Sequence, residues 1–440
     1  MKKRQVSFQA FGYHLDAIKP VHLANGYFLA LTGKHYRLEL LNKLAVVSNK
    51  KGLTGEYHTE GLREVLADRG LLEDSVAKEH LNLLRAQANA IVANDDAVYA
   101  AFDDYKAFGN DYTISSPELL CDLKRKDGFA GCFIYSVFAL TDEGRRINEL
   151  AKLRFEEPGD SLTKLFQPVL DGGDTALAWE GFDGGSDECF DVSRLQQVAD
   201  LMHPQTAGIL RLVETIGRVE SRYAFLRQLV TVLGVWLLKY LIRSSTAIAG
   251  INHDSLLFAD FTGGQSPKCR SRSVHCFSRH RELVYKSFIS LQEQGVIATL
   301  GDYVNSQTGR IDLKDVERHF QDLAVRIGLV QPRASTVRAK HYEPQPDTIR
   351  ALVASVISST EGPVMFSEVA TRIREVWGLS FGGCPDDSGR LAEDGIVGLD
   401  EDDDLRLNRA RFVEHLKSLG LAFEPSDGLV LCEITADSDQ

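Results

Sequence analysis

From residue 344 onward the chain carries three amphipathic segments and then a hairpin pattern, an order that few folds accommodate. Asp347, behind Pro346, is placed to cap a helix whose apolar positions Ile349, Leu352, Val353 and Val356 recur at helical spacing. Glu361-Gly362-Pro363 stops it, because Pro cannot continue a helix and Gly tolerates the turn. Val364-Met365-Phe366 has the length of a short strand. Ser367 is placed to cap a second helix with Val369, Ile373, Val376 and Trp377 on one face, ended by Gly378. Asn408 is placed to cap a third, with Phe412, Leu416 and Leu419 inward and Gly420 at its end. Leu421 to Phe423 and Leu429 to Ile434 read as strands around the turn sequence Pro425-Ser426-Asp427-Gly428.

Helix, short strand, helix, helix, hairpin resembles a winged helix-turn-helix module. The resemblance implies that the third helix enters a DNA major groove, or that the same surface docks a protein. Arg409, Arg411, His415 and Lys417 then face outward, with Arg406 just before them. Arg suits phosphate contact and bidentate pairing with guanine. Against this, residues 386 to 404 hold nine acids and a single cation, Arg390. A run of that sign repels phosphate unless it points away, so a solvated acidic loop beside a protein-contact module is the competing reading.

The chain has 440 residues, long enough for two to four domains, and a net charge of −12 that argues against a nucleic-acid coat over the whole surface. The charge is uneven. Residues 1 to 55 hold nine Lys or Arg against Asp16 and Glu39, while acid gathers at the other end. Seven scattered cysteines read as reduced thiols rather than a disulfide framework. No secretory signal pattern follows Met1-Lys2-Lys3-Arg4, and the most apolar run, Leu229 to Leu238 continuing to Ile242, falls short of the ~20 residues that span a bilayer. A cytoplasmic protein with no membrane partner and a buried central helix is expected.

Residues 1 to 60 mix aromatic strand-like pieces with short helices. From 60 to 100, Leu62, Val65 and Leu66, a break at Gly70, then Leu81, Leu84, Ala88 and Ile91 read as a helical hairpin. The Asp and Gly rich run from 171 to 188 lacks EF-hand spacing and reads as a loop. Long helices return from 192 to 250. The expected organisation is a mainly α, multi-domain chain with small β elements. Its parts are an N-terminal domain over 1–157, a linker over 158–190 and a helical domain over 191–343. A winged helix over 344–440 comes last, with an acidic insertion at 380–404.

A second informative segment lies at 256 to 286. Leu256-Leu257-Phe258-Ala259-Asp260 reads as a buried strand ending in a carboxylate, followed by the turn Thr262-Gly263-Gly264. Lys268, Arg270, Arg272, Arg279, Arg281 and Lys286 come next, opposed only by Glu282 and interleaved with serines. Read as a loop, this composition suits phosphate oxygens of a nucleic-acid backbone. A Walker motif is absent from the sequence, which argues against ATP hydrolysis.

The catalytic candidates are thin. Cys269, His275, Cys276 and His280 lack the spacing of common zinc sites. Glu118, Asp122 and Lys124 echo a restriction-type nuclease set but fit an amphipathic helix. His253, Asp254 and Asp260 have no evident nucleophile. No catalytic residue, metal or cofactor is therefore assigned.

A helical body, a strand leading into an Arg and Ser segment, and a winged-helix tail with an acidic insertion together resemble accessory subunits of prokaryotic phage-defence systems linked to DNA modification. That resemblance implies a non-enzymatic adaptor. It would bind double-stranded DNA through Lys268, Arg270, Arg272, Arg279, Arg281, Lys286, Arg406, Arg409, Arg411 and Lys417, and bridge it to an ATPase or nuclease partner. A metal-dependent nuclease and a pure interaction scaffold are the alternatives.

Overall fold

The computed structural model describes residues 3–15, 18, 20–32, 34–35, 130–155, 177–178, 192–217, 222–251, 255–332, 340–426 and 428–434. The described chain is mainly α with small β elements, as expected. It divides into two compact units, one of residues 1–17, 136–150 and 190–440, the other of residues 18–135 and 151–189. Residues 344–440 thus pack in the same unit as 190–343. The helical hairpin expected at 60–100, the set Glu118, Asp122 and Lys124, the pair His253 and Asp254, and nearly all of the 158–190 linker lie outside the described residues.

The smaller unit contains α2 (Pro20–Thr32) and the pair β1 (Lys34–His35) and β2 (Leu177–Ala178), which run antiparallel. Helix α3 (Ala130–Phe138) begins there against α2. A Cβ on Gly131 would sit 2.2 Å from the Tyr27 nitrogen, so only glycine permits that approach.

In the larger unit, after α1 (Lys3–Phe11) and α4 (Asp142–Phe155), come α5 (Val192–Leu201), α6 (His203–Ile216) and α7 (Arg222–Ile248). Helix α7 is buried on nearly every side from Phe225 to Ile242, as a helix enclosed by others is. It packs against α6, α8 (Pro267–Glu293), α9 (Lys314–Arg326) and α10 (Pro346–Ala354). Against the expectation that its apolar run falls short of a bilayer, the window from Ala224 to Ile248 is long enough to cross one, but it is almost wholly buried inside the protein. The central-helix expectation holds.

Strand β3 (Leu257–Phe258) is buried and runs parallel to β7 (Leu379–Ser380), while β4 (Val330–Gln331) and β5 (His341–Tyr342) pair antiparallel. The chain beyond β3 departs from the expected loop. The whole basic segment is inside α8. Ser266 caps it, its Oγ accepting from the Cys269 amide at 3.1 Å, and Pro267 occupies the first turn. Cys269, Ser273, Cys276, Phe277, His280, Val284, Phe288 and Leu291 form its buried stripe.

The last part of the chain runs α10, β6 (Val364–Met365), α11 (Phe366–Trp377), β7, α12 (Asp387–Glu393), a π turn (Glu401–Leu405), α13 (Arg406–Ser418), β8 (Ala422–Ser426) and β9 (Leu429–Cys432). Strands β6, β9 and β8 make one antiparallel sheet in that order. The expected elements are all present, but three caps differ. Gln345 rather than Asp347 precedes α10, Met365 rather than Ser367 precedes α11, and Asn408 lies inside α13. Gly378 does end α11, at φ 67°, and a Cβ there would also meet the Lys239 ammonium at 2.2 Å. The core of this segment is an aromatic cluster of Phe366, Phe381 and Phe412, completed from outside by Phe261, whose ring centroid lies 4.6 Å from that of Phe412.

Candidate functional site

Asn408 explains how α13 is held. It is fully buried, accepts a hydrogen bond from the Phe261 amide at 2.6 Å, and donates to the carbonyls of Ala259 and Phe381 at 2.8 and 3.1 Å. One amide side chain therefore fastens α13 both to the strand end before α8 and to the chain after β7. With Leu405, Phe412 and Leu416 it defines the inner face, leaving Arg406, Ala410, Glu414 and Lys417 exposed and Arg409 half-buried. His415 is exposed as expected, with its ring 5.9 Å from Phe261, while Arg411 is half-buried and donates to Gln265 and Glu414.

The cations expected to hold phosphate are mostly engaged by the chain itself. Arg270 donates from Nε to Asp260 at 2.6 Å and reaches Glu343 at 3.4 Å. Arg279 donates to Asp394 at 2.5 Å, Lys268 lies 3.3 Å from Asp404, and Lys286 lies 2.8 Å from Glu282. Arg411 pairs with Glu414 at 2.5 Å, and Lys417 pairs with Glu424. The half-buried Arg272 is set against the backbone of the acidic insertion, where a Cβ on Gly398 would come within 3.1 Å of it. Arg281, also half-buried, has its Nε buried without a partner. Among the ten expected contact residues, Arg406 and Arg409 have no carboxylate partner among the described residues, and Lys268 and Lys286, though paired, stay largely exposed.

The acidic insertion is the counter-charge. Asp387, Asp394 and Asp404 are buried rather than solvated. Asp387 accepts from Arg374 at 2.8 Å and from the Cys384 amide at 3.0 Å. Asp394 accepts from Arg279, from Ser255 Oγ at 3.2 Å, and from the Leu256 amide at 2.9 Å. Burial opposes ionisation of Asp404, yet the Asp400 amide, the Ser266 hydroxyl and Lys268 together hold its carboxyl below the usual range. A solvated loop would leave these three carboxylates to water; here Asp404 meets the start of α8 at Ser266 and Lys268, Asp394 ties α8 to Ser255 and Leu256 through Arg279, and Asp387 ties α11 to the chain at Cys384.

Three groups with chemical potential converge behind that insertion. Ser255 Oγ and His280 Nε2 are 2.8 Å apart, and His280 Nδ1 is 2.8 Å from the Tyr342 hydroxyl. All three are buried and mutually satisfied. Burial, with Arg279 and Lys239 adding to it, drives the His280 pKa well below its ordinary value, and burial raises Cys276 to about 12. A nucleophile and base pair needs access to substrate, and this pair is sealed. Asp260 is equally enclosed, its carboxylate engaged by Thr262 and Arg270. Cys269, His275, Cys276 and His280 do not converge, and among the described residues no group of three or more potential metal ligands does.

Two surface features remain open. One is a groove of about 800 Å³ between the starts of α8 and α13, lined by Gln265, Ser266, Lys268, Asp403, Arg406 and Ala410. Its two cations face two neighbouring acids, Asp403 and Asp404. The other is the outer face of the β6-β9-β8 sheet, which residue periodicity alone does not mark. A scan against protein-family models and searches of curated proteins and of solved structures found no match to this chain.

Proposed function

We propose that residues 346–432 form a winged-helix module used for protein contact, in a chain that acts as a non-enzymatic adaptor. The order α10, β6, α11, α13, β8, β9 with sheet order β6-β9-β8 supports the module. The observation that carries the choice of partner is electrostatic. Six of the ten expected DNA-contact cations are paired to carboxylates of the same chain, and residues 418–440, which include the hairpin, hold five acids and no Lys or Arg. A hairpin of that charge gives nothing to a phosphate backbone. By the resemblance to phage-defence accessory subunits, the docked protein would be a motor or nuclease subunit.

Lys268, Arg406 and Arg409 favour a second reading, in which the groove and α13 still touch double-stranded DNA. Anisotropy with a labelled duplex at low salt separates the two. The docking reading expects binding no tighter than the non-specific range, about 10⁻⁶ M or weaker, and no response to Lys268→Glu/Arg406→Glu/Arg409→Glu. Tight binding that falls steeply with salt and vanishes in that triple variant overturns it. Arg270→Glu is the wrong probe, because it places an acid beside Asp260 and Glu343.

A further inference from the structure

Met365 pairs directly with Leu431, and Leu431 with Phe423. Directly opposed residues in antiparallel strands share a face, so these three form one row across the sheet. Their neighbours Val364, Cys432 and Ala422 form the opposite row and are buried. Met365 is nonetheless 52% exposed and Phe423 37%, with Leu431 half-buried between them. A half-solvated sheet ordinarily carries polar side chains on that face. Here it carries an apolar stripe three strands wide.

The charge around it is mostly negative, although Lys417 pairs with Glu424. Glu433 follows Cys432, and alternation places it on the same side as Leu431. Glu424 lies in β8, and the sequence from 418 to 440 also carries Asp427, Asp437 and Asp439 and no cation. A second copy of the chain would bring two such acidic hairpins together, which like-charge repulsion disfavours.

We propose that the outer face of the β6-β9-β8 sheet docks a Lys- or Arg-rich amphipathic segment of a partner protein. The segment's apolar side chains cover Met365, Leu431 and Phe423, and its cations meet the hairpin carboxylates. The proposal rests on the protein-contact reading above and names the surface and the chemistry of its occupant.

The test uses the full chain and a labelled amphipathic peptide of Leu and Lys, with a twin in which each Lys is Glu. The Lys peptide binds and the Glu twin does not. Met365→Ser/Phe423→Ser weakens Lys-peptide binding roughly tenfold. Met365→Lys/Phe423→Lys transfers preference to the Glu twin, a gain that misfolding cannot produce. Equal binding of the two peptides, or wild-type affinity in the Ser pair, overturns the proposal. Concentration-dependent dimerisation in sedimentation, abolished by the Ser pair, assigns the face to a second copy and also overturns it. Loss of peptide binding without duplex binding removes this surface alone, whereas duplex binding lost in the Lys268, Arg406 and Arg409 variant removes the reading beneath it.

Discussion

Helices α8 and α13 are both rich in cations, yet their charges do different work. On α8, Arg270 and Arg279 reach carboxylates at 0 and 5% exposure, Asp260 and Asp394, and so become internal fastenings. On α13 the inner face is closed by Asn408 and apolar residues, and Arg406 and Arg409 are left outward with no carboxylate partner among the described residues. Charge in a sequence is therefore not charge at a surface. What separates the two helices is where buried carboxylates lie: Asp260 and Asp394 meet α8 and Asp404 sits where α8 and α13 begin, whereas the outward turns of α13 lie past them.

Asn408→Ala attacks the feature that keeps the α13 cations outward. It strands the Phe261 amide and two carbonyls without partners in a dry interior, where each orphan costs about 1–3 kcal/mol. The expected loss is about 4 kcal/mol, read as a lowered denaturant midpoint. A loss under about 1 kcal/mol would mean that α13 is held by its aromatic contacts alone. Arg279→Ala probes the other side. Removing one partner of a largely buried pair takes the Arg279 guanidinium from Asp394 and costs about 3 kcal/mol. Arg279→Ala/Asp394→Ala should recover part of that loss. If the double variant is worse than the single, Asp394 acts through Ser255 and the Leu256 amide more than through Arg279.

Much of this is legible in the sequence, and the failures share a cause. Gly378, Gly420 and Gly428 mark element ends correctly, because few residues adopt those backbone conformations, whereas β8 runs on through Pro425 and Ser426, which the sequence assigns to the turn. The α8 segment reads as a loop because its inward stripe is built from Cys269, Ser273, Cys276 and His280, small or polar residues that mask a helical period. The stripe is present all the same, at spacings of three and four. Asn408 looks like a cap for the same reason: a polar residue before an apolar run is a cap unless tertiary partners claim it, and its partners lie at 259, 261 and 381. The pairing of Arg279 with Asp394 spans 115 positions, and no local pattern encodes it. Met365 and Phe423 become a surface feature only once register places both beside Leu431.

A smaller effect should appear on changing pH, and it belongs to the α8 side alone. His280 faces Ser255, Tyr342, Cys276, Arg279 and Lys239, and burial foremost holds its folded pKa below its unfolded one. The unfolded chain then takes up the proton first. Stability from this group is complete above the unfolded value near 6.5 and is lost as pH falls below it, at up to about 1.4 kcal/mol per pH unit. Between pH 7 and 5 the wild type should therefore lose more stability than His280→Gln. Parallel stability profiles for the two proteins would show that the histidine is protonated without penalty.

The least effect is expected where α8 itself offers a charge to solvent. Lys286 and Glu282 are an exposed pair one helical turn apart, at 65 and 61% side-chain exposure. Water screens both ions and their side chains keep most of their freedom when unpaired, so Lys286→Ala should change stability by less than about 0.5 kcal/mol. Adding salt should erase even that difference, while leaving the Arg279→Ala loss nearly intact, because a pair shielded from solvent is screened far less. Equal salt sensitivity in the two variants would show Asp394 to be wet, and would collapse the distinction between fastened and open cations on which the docking assignment depends.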